Sequence, residues 1–184
     1  MRYLIVCGGK IDKEFGLNEI KTDGIDVIIA ADSGMDFLYE NGVTPDIIVG
    51  DFDSATTKAL EFFERKGQTE IHRLNPVKDD TDTEYAIRLA IKHGARSIVV
   101  IGATGSRIDH VLGNISLLGI GLESGIDIRI IDANNRIRMA DKPVTIEKLS
   151  QYGRFVSLIA LTDDNEVSLK GFKYPVTDYS FDRF

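Results

Sequence analysis

Three consecutive branched aliphatic residues, Ile47, Ile48 and Val49, lead through Gly50 directly into Asp51-Phe52-Asp53-Ser54. An unbroken apolar run of this kind suits a strand covered on both faces, as in a parallel sheet packed between helix layers. Extended backbone beyond it would put Asp51 and Asp53 on the same side, roughly 6–7 Å apart, with Phe52 facing away. Two like charges at a strand mouth repel unless a cation lies between them. Carboxylates with no His or Cys nearby suit a hard ion such as Mg²⁺. A simpler reading makes one Asp the cap of the next helix and leaves the other solvated.

The same apolar pattern recurs along the first two thirds of the chain. Arg2–Cys7, Asp26–Ala31, Ile71–Leu74 and Ser97–Ile101 read as further strands, and 33–41, 55–66 and 82–93 as the helices between them. Strands alternating with helices at this spacing predict an α/β fold, a parallel sheet flanked by helices in a Rossmann-like N-terminal domain. The helix expected over Val111–Leu122 has no charged residue. A helix apolar all round is buried in its own domain or against another subunit, so association is expected. After about residue 140 the rhythm becomes antiparallel β: Val144 and Ile146 alternate with Thr145 and Glu147, Phe155–Leu161 is a longer apolar run, and Val167 and Leu169 alternate with polar residues. The expected division is an α/β domain over 1–138 and a small antiparallel, β-sandwich-like domain over 139–184, with Pro143 near the junction.

Composition narrows the function classes. The net charge is −7, from 22 Lys+Arg against 29 Asp+Glu, and basic residues form no run, which argues against a nucleic-acid groove. The single cysteine, Cys7, excludes an internal disulfide, suits a reducing cytoplasm and lies in a strand pattern that makes it a core residue. No signal peptide or membrane span is expected, because the apolar run at 3–6 is too short for either.

In an open parallel sheet, ligands bind beyond the carboxyl ends of the strands. The segments following the strands are Gly8-Gly9-Lys10, Asp32-Ser33-Gly34, Asp51-Phe52-Asp53-Ser54, Lys78-Asp79-Asp80-Thr81-Asp82-Thr83-Glu84 and Gly102-Ala103-Thr104-Gly105-Ser106-Arg107-Ile108-Asp109-His110. Polar and glycine residues thus gather at one rim. Thr81 and Glu84 fit a capping box, but capping does not require Asp79, Asp80 and Asp82. Asp82 is expected to join Asp51 and Asp53 around an ion, and Lys78 to reach a phosphate. The 102–110 loop lets backbone N–H groups approach a phosphate while Arg107 grips its oxygens, although it matches no standard nucleotide fingerprint. An ordinary glycine turn, with Asp109 capping the helix and Arg107 its surface partner, accounts for the same residues. His110 reads more simply as structural than as a base, and Asn134-Asn135 as a turn.

Gly50-Asp51-Phe52-Asp53-Ser54, Lys78–Glu84, and Gly102–His110 with Asn114 together resemble thiamine pyrophosphokinases, as do Ala31–Gly34 and Gly171-Phe172-Lys173-Tyr174-Pro175. The resemblance implies an enzyme that moves the terminal pyrophosphoryl group of ATP onto thiamine, releasing AMP, and a homodimer with its substrate site between subunits. It also implies Mg²⁺ at Asp51, Asp53 and Asp82, with Arg107 acting beside them. ATP contacts would come from Asp32, Lys78, Thr81, Arg107, Asp109 and His110, and acceptor contacts from Asp109 and Asn114. The family's pattern continues past Tyr-Pro through a serine-asparagine segment and commonly a tryptophan. This chain has no Trp and ends at Phe184, a shorter β domain. A pyrophosphokinase for another small alcohol, such as a hydroxymethylpterin, and a non-catalytic nucleotide or metabolite sensor remain alternatives.

Overall fold

β1 (Arg2–Val6) is the hub of a seven-stranded sheet with strand order β4-β3-β2-β1-β5-β6-β7. The computed structural model describes residues 1–52, 56–75 and 80–183, with Thr57 described for its backbone alone. The expectations placed on Asp53, Ser54, Lys78 and Asp79 therefore fall outside the described residues. On one side of β1 lie β2 (Val27–Ala31), β3 (Ile47–Gly50) and β4 (Glu70–Arg73). On the other lie β5 (Ser97–Ile101), β6 (Asp127–Ile131) and β7 (Arg136–Arg138). The first six strands run parallel, and β7 returns antiparallel beside β6. Strand order reverses between β1 and β5, and at such a switch point the connecting loops diverge and leave a crevice.

The two faces of β1 explain its continuous apolar sequence. Leu4 and Val6 pack with Met35, Leu38, Ala59 and Phe63 on one face, in the layer formed by α2 (Gly34–Glu40) and α3 (Thr57–Lys66). Tyr3, Ile5 and Cys7 pack on the other with Ala86, Leu89 and Ala90 of α4 (Asp82–Lys92) and Leu118 of α6 (Leu118–Ser124). Leu4, Ile5 and Val6 are wholly buried, each contributing about 1.5–3 kcal/mol of transfer free energy. Gly67, in the left-handed region at φ +61°, ends α3 with its N–H on the carbonyl of Phe63, as a C-terminal glycine does.

Three elements are additional to the sequence reading, and one expected helix is divided in two. α1 (Lys13–Ile20), β6 and β7 are absent from that reading; in β6, Arg129 interrupts the aliphatic residues Ile128, Ile130 and Ile131. The uncharged stretch 111–122 is not one helix but two, α5 (Ile108–Ser116) and α6. Ser116 Oγ donates to the carbonyl of Leu112 at 3.1 Å, a back-bond that bends helices, and Ile120 N–H closes a tight turn on Leu117 at 3.0 Å. α6 buries Leu118 and Gly121, whereas α5 buries no residue, leaving Ile108 and Leu112 well exposed.

The chain divides into two compact units, Met1–Tyr152 and Gly153–Phe184. In the second, β8 (Glu166–Leu169) and β9 (Val176–Ser180) form an antiparallel pair, with a register irregularity between Val167 and Leu169. The pair is closed by Phe181 N–H on the carbonyl of Asn165 and by an Asp163–Arg183 ion pair of 2.5 Å. The strand expected over Phe155–Leu161 does not form, nor does one at 144–147. A strand needs a neighbour for its backbone groups, and among the described residues neither segment has one. Phe155 and Ile159 are consequently 82% and 80% exposed.

Candidate active site

The carboxyl ends of β2, β3 and β4 lie side by side, so the residues that follow these strands converge. Asp32 follows β2, Asp51 follows β3, and Asp82 opens α4 beyond β4. One carboxylate oxygen from each lies within 4.8 Å of the other two, and all three residues are half-buried. Asp32 occupies the left-handed region at φ +47°, which Asp tolerates better than most residues. Its N–H bonds the carbonyl of Val49 at 2.7 Å, extending the β2–β3 ladder to the rim. Asp82 is placed by the start of α4, where the Thr81 hydroxyl accepts from the N–H of Glu84 at 3.2 Å. Glu84 does not complete the reciprocal capping box, because its carboxylate takes the Arg88 guanidinium one turn on, at 2.7 Å.

The backbone at Phe52 is not extended as the sequence reading assumes, and the Asp51–Asp53 spacing itself lies outside the described residues. Phe52 has φ +64°, in the left-handed region. A bulky side chain there costs about 1–3 kcal/mol and persists only where its surroundings hold it, typically at functional loops. Here the Arg73 guanidinium sits 5.4 Å from the Phe52 ring centroid and is itself paired with Glu64. At the far side of the loop, the Thr56 N–H and hydroxyl both donate to Asp36 of α2, fastening the approach to α3.

The three carboxylates fit a hard divalent cation. Mg²⁺–oxygen distances of about 2.0–2.1 Å place neighbouring ligand oxygens roughly 3 Å apart and opposite ones roughly 4 Å apart. The observed spread of up to 4.8 Å lies within a small side-chain adjustment of that geometry. No His or Cys belongs to the group, so its chemistry favours Mg²⁺ over softer metals. Cys7 lies one step behind it, its thiol 3.4 Å from the Thr83 hydroxyl. Burial pushes that thiol up to about 11, with the Thr83 hydrogen bond opposing and the Asp82 charge adding to the rise. It is a neutral packing group, as its strand position suggested.

At the switch point, the ends of β1 and β5 touch. Gly9 N–H donates to the Gly102 carbonyl at 2.9 Å. A Cβ on Gly9 would stand 2.3 Å from that oxygen, so the turn depends on glycine for its closeness. Asn114 on α5 donates through Nδ2 to the carbonyl of Ala103 at 2.9 Å. In this structure Asn114 thus braces the loop that leads to Arg107. Arg107 itself is exposed and grips Asp109 at 2.6 Å. That guanidinium holds the Asp109 carboxyl below the usual range, outweighing the opposing effect of desolvation, and Asp109 in turn holds Arg107 up. Arg107, not Asp109, is the residue preceding α5. His110 is exposed, 4.0 Å from Asp109.

Of the sequence-derived residues, the structure brings Asp32, Asp51 and Asp82 together, with Thr81 beside Asp82. Arg107 ends the β5–α5 connection, and Asp109, His110 and Asn114 lie on α5 behind it. The sequence reading makes Asp32 a nucleotide contact; its convergence with Asp51 and Asp82 is a tertiary fact that spacing does not contain. Asp132, at the carboxyl end of β6, was missed altogether. Its carboxylate accepts from Thr104 Oγ1 at 2.7 Å and from the N–H groups of Asn134 and Asn135 at 2.8 and 2.7 Å. Burial tends to raise the carboxyl, but the Thr104, Asn134 and Asn135 hydrogen bonds outweigh it and hold it below its ordinary value. A partial signal was present, since Asp132 follows Ile130-Ile131 as Asp32 follows the apolar end of β2, although Arg129 interrupts the run. A cavity of about 210 Å³ lined by Leu118, Ile128, Met139 and Val144 sits by the first residues of β6, at the other end of that strand. The site is marked by convergent charge, not by that cavity.

Two family models match in order, the thiamin pyrophosphokinase catalytic domain over residues 21–130 and the thiamin pyrophosphokinase vitamin B1 binding domain over 143–183. This chain belongs to the thiamine pyrophosphokinase family. The thiamine pyrophosphokinase of Bacillus subtilis (strain 168) is 37% identical over 159 residues, which span 85% of this chain and 73% of that protein. The crystal structure of thiamine pyrophosphokinase from B. subtilis superposes with a TM-score of 0.85 at 33% identity, covering 97% of this chain and 83% of that one. The corresponding structure from Geobacillus thermodenitrificans gives 0.78 at 27% identity, covering 100% and 84%. The catalytic match spans both Asp51 and Asp82 and all of residues 102–110. Among the described residues no helix is long and apolar enough to cross a membrane.

Proposed function

We infer that this chain transfers the terminal pyrophosphoryl group of ATP to the hydroxyethyl oxygen of thiamine, giving thiamine diphosphate and AMP. The observation that carries this reading is the match of both family domains in order, with the acidic group lying inside the catalytic match. In the reaction the acceptor oxygen bonds the β-phosphorus while the bond from that phosphorus to the bridging α–β oxygen breaks. The oxygen and its electron pair leave with AMP. Such transfers depend on charge neutralisation and in-line positioning more than on covalent help.

Asp32, Asp51 and Asp82 are the residues that would hold Mg²⁺, with Asp53 as a further ligand from the same loop. When bound, the ion supplies charge neutralisation on the polyphosphate. Arg107, released from Asp109 as the anionic substrate arrives, would neutralise phosphate oxygens bidentately, with Lys78 contributing from the loop before α4. Thr81, Asp109 and His110 border the nucleotide in this reading, and Asn114 keeps the loop facing it. A carboxylate of the acidic group accepts the hydroxyl proton. A homodimer is part of the same reading. It is supported by Ile108 and Leu112 on α5, 73% and 60% exposed, and by the exposed Phe155 and Ile159, all of which a second copy would cover. A free buried thiol and no disulfide suit a cytoplasmic setting.

The test is incubation of the protein with ATP, Mg²⁺ and thiamine, followed by separation of nucleotides and thiamine phosphates. Stoichiometric AMP and thiamine diphosphate are expected. ADP with thiamine monophosphate would contradict the reaction type. AMP formed with a hydroxymethylpterin but not with thiamine would reassign the acceptor, and tight ATP binding without AMP from any alcohol would leave a sensor. Sedimentation of the native protein at twice the 20.4 kDa chain mass is expected, and a monomer would contradict the dimer.

A further inference from the structure

The β5–α5 loop is held at three successive residues, each from a different element. Gly102 is fixed by the N–H of Gly9, and the carbonyl of Ala103 by Asn114. The Thr104 hydroxyl is fixed by Asp132, across 28 residues of sequence. Three residues further on stands Arg107. Asp132 is built for this task. One of its oxygens takes the N–H groups of Asn134 and Asn135, which leaves the other aimed at Thr104, and the Asn135 side-chain amide bonds both. Its backbone carbonyl accepts from the Tyr152 hydroxyl, and the Tyr152 ring lies under the Arg136 guanidinium at 4.5 Å. The carboxylate therefore cannot rotate away without breaking several hydrogen bonds at once.

We propose that Asp132 is a positioning residue for pyrophosphoryl transfer, acting through Thr104 to hold the loop that presents Arg107. It touches no reacting atom. Its effect is exerted on where Arg107 stands relative to the transferring group, and displacement of a charge-neutralising group by about 1 Å can cost on the order of a hundredfold in rate. Thr104 is chosen for substitution because Thr104→Val removes one hydroxyl at nearly constant volume and leaves the Asp132 turn intact. The proposal rests on the assignment of Arg107 to the phosphates, so Arg107→Ala is measured beside it.

Steady-state turnover with ATP and thiamine is compared for the unmodified protein, Thr104→Val, Thr104→Ser, Arg107→Ala and the double variant Thr104→Val/Arg107→Ala, with thermal unfolding of each. Thr104→Val is expected to lower kcat about tenfold with little change in KM for ATP. Thr104→Ser restores most of it, and the double variant is no slower than Arg107→Ala alone, because both changes remove one unit. Normal turnover by a folded Thr104→Val beside a crippled Arg107→Ala overturns the proposal and spares the function assigned to Arg107. A further tenfold loss in the double variant also overturns it, since the loop would then act independently of Arg107. Near-normal turnover by Arg107→Ala removes the Arg107 assignment and this proposal with it.

Discussion

Gly9 and the Gly102 carbonyl meet in direct backbone contact beside the candidate site, and Gly9→Ala tests its importance. A methyl group at Gly9 would lie 2.3 Å from the Gly102 oxygen, 3.1 Å from its carbon and 3.4 Å from the Gly105 Cα. Ordinary carbon–oxygen contact begins beyond 3 Å, so the two turns must separate by roughly 1 Å, and both contacting groups are backbone. That movement strains or breaks the 2.9 Å Gly9–Gly102 hydrogen bond, worth about 1 kcal/mol. Overpacking of this kind adds about 1–3 kcal/mol. The sum is about 2–4 kcal/mol, which for a chain of this length lowers the unfolding midpoint by about 4–16 °C. The same separation shifts the loop that leads to Arg107, and a fall in kcat on the order of a hundredfold is expected. Gly119→Ala is the control: this helical glycine has only the Met139 sulfur at 3.9 Å, and the change should stabilise by about 0.5–1 kcal/mol. The assay is thermal unfolding by circular dichroism together with AMP release. Gly9→Ala with the midpoint and turnover of the unmodified protein would refute the argument that these two turns must touch.

Other expectations follow from single residues. Phe63 is wholly buried and meets Tyr39 and Phe62 edge to face, so Phe63→Ala should cost about 3–5 kcal/mol in urea denaturation, and a loss under 1 kcal/mol would contradict the packing. The Asp132 carboxyl is held below its ordinary value in the folded chain. Its stabilising contribution is therefore complete above the unfolded carboxyl's range, near pH 4, and is lost as pH falls through the lower folded value; Asp132→Asn should flatten the fall of urea midpoint between pH 5 and pH 3. The Cys7 thiol, raised to about 11 and buried, should resist a thiol reagent at pH 8 until denaturant is added, whereas rapid labelling of the native protein would contradict its placement.

The parallel sheet was legible because β1, β2, β3 and β5 are buried on both faces, which leaves continuous aliphatic runs that no half-exposed strand would show. β7 was not, since Arg136-Ile137-Arg138 carries one apolar residue and owes its strand form to pairing with β6. The runs at 144–147 and 155–161 misled for the converse reason. Apolar alternation marks a surface that wants cover, and within this chain's described residues no neighbouring strand supplies it. The acidic site divides in the same way. Asp51 and Asp82 announced themselves through unneeded charge beside a strand end and a helix cap. The left-handed turn at Phe52 and the convergence of Asp32 arise from tertiary packing, which sequence spacing does not encode. Thr104 and Asp132, 28 residues apart, meet only because β5 and β6 are neighbours in the sheet.

The most direct measurement is metal binding by Asp82→Asn, read together with turnover. Mn²⁺ titrated into the unmodified protein in the presence of ATP, followed by its electron paramagnetic resonance, should show a bound ion, and Mg²⁺ should support AMP release. Asp82→Asn keeps the helix start and the Thr81 cap but removes one of three converging charges. It should fold, bind Mn²⁺ at least tenfold more weakly, and release AMP at least a hundredfold more slowly. A folded Asp82→Asn protein with undiminished Mn²⁺ affinity and near-normal AMP release would show that the three carboxylates do not form the metal site of this enzyme.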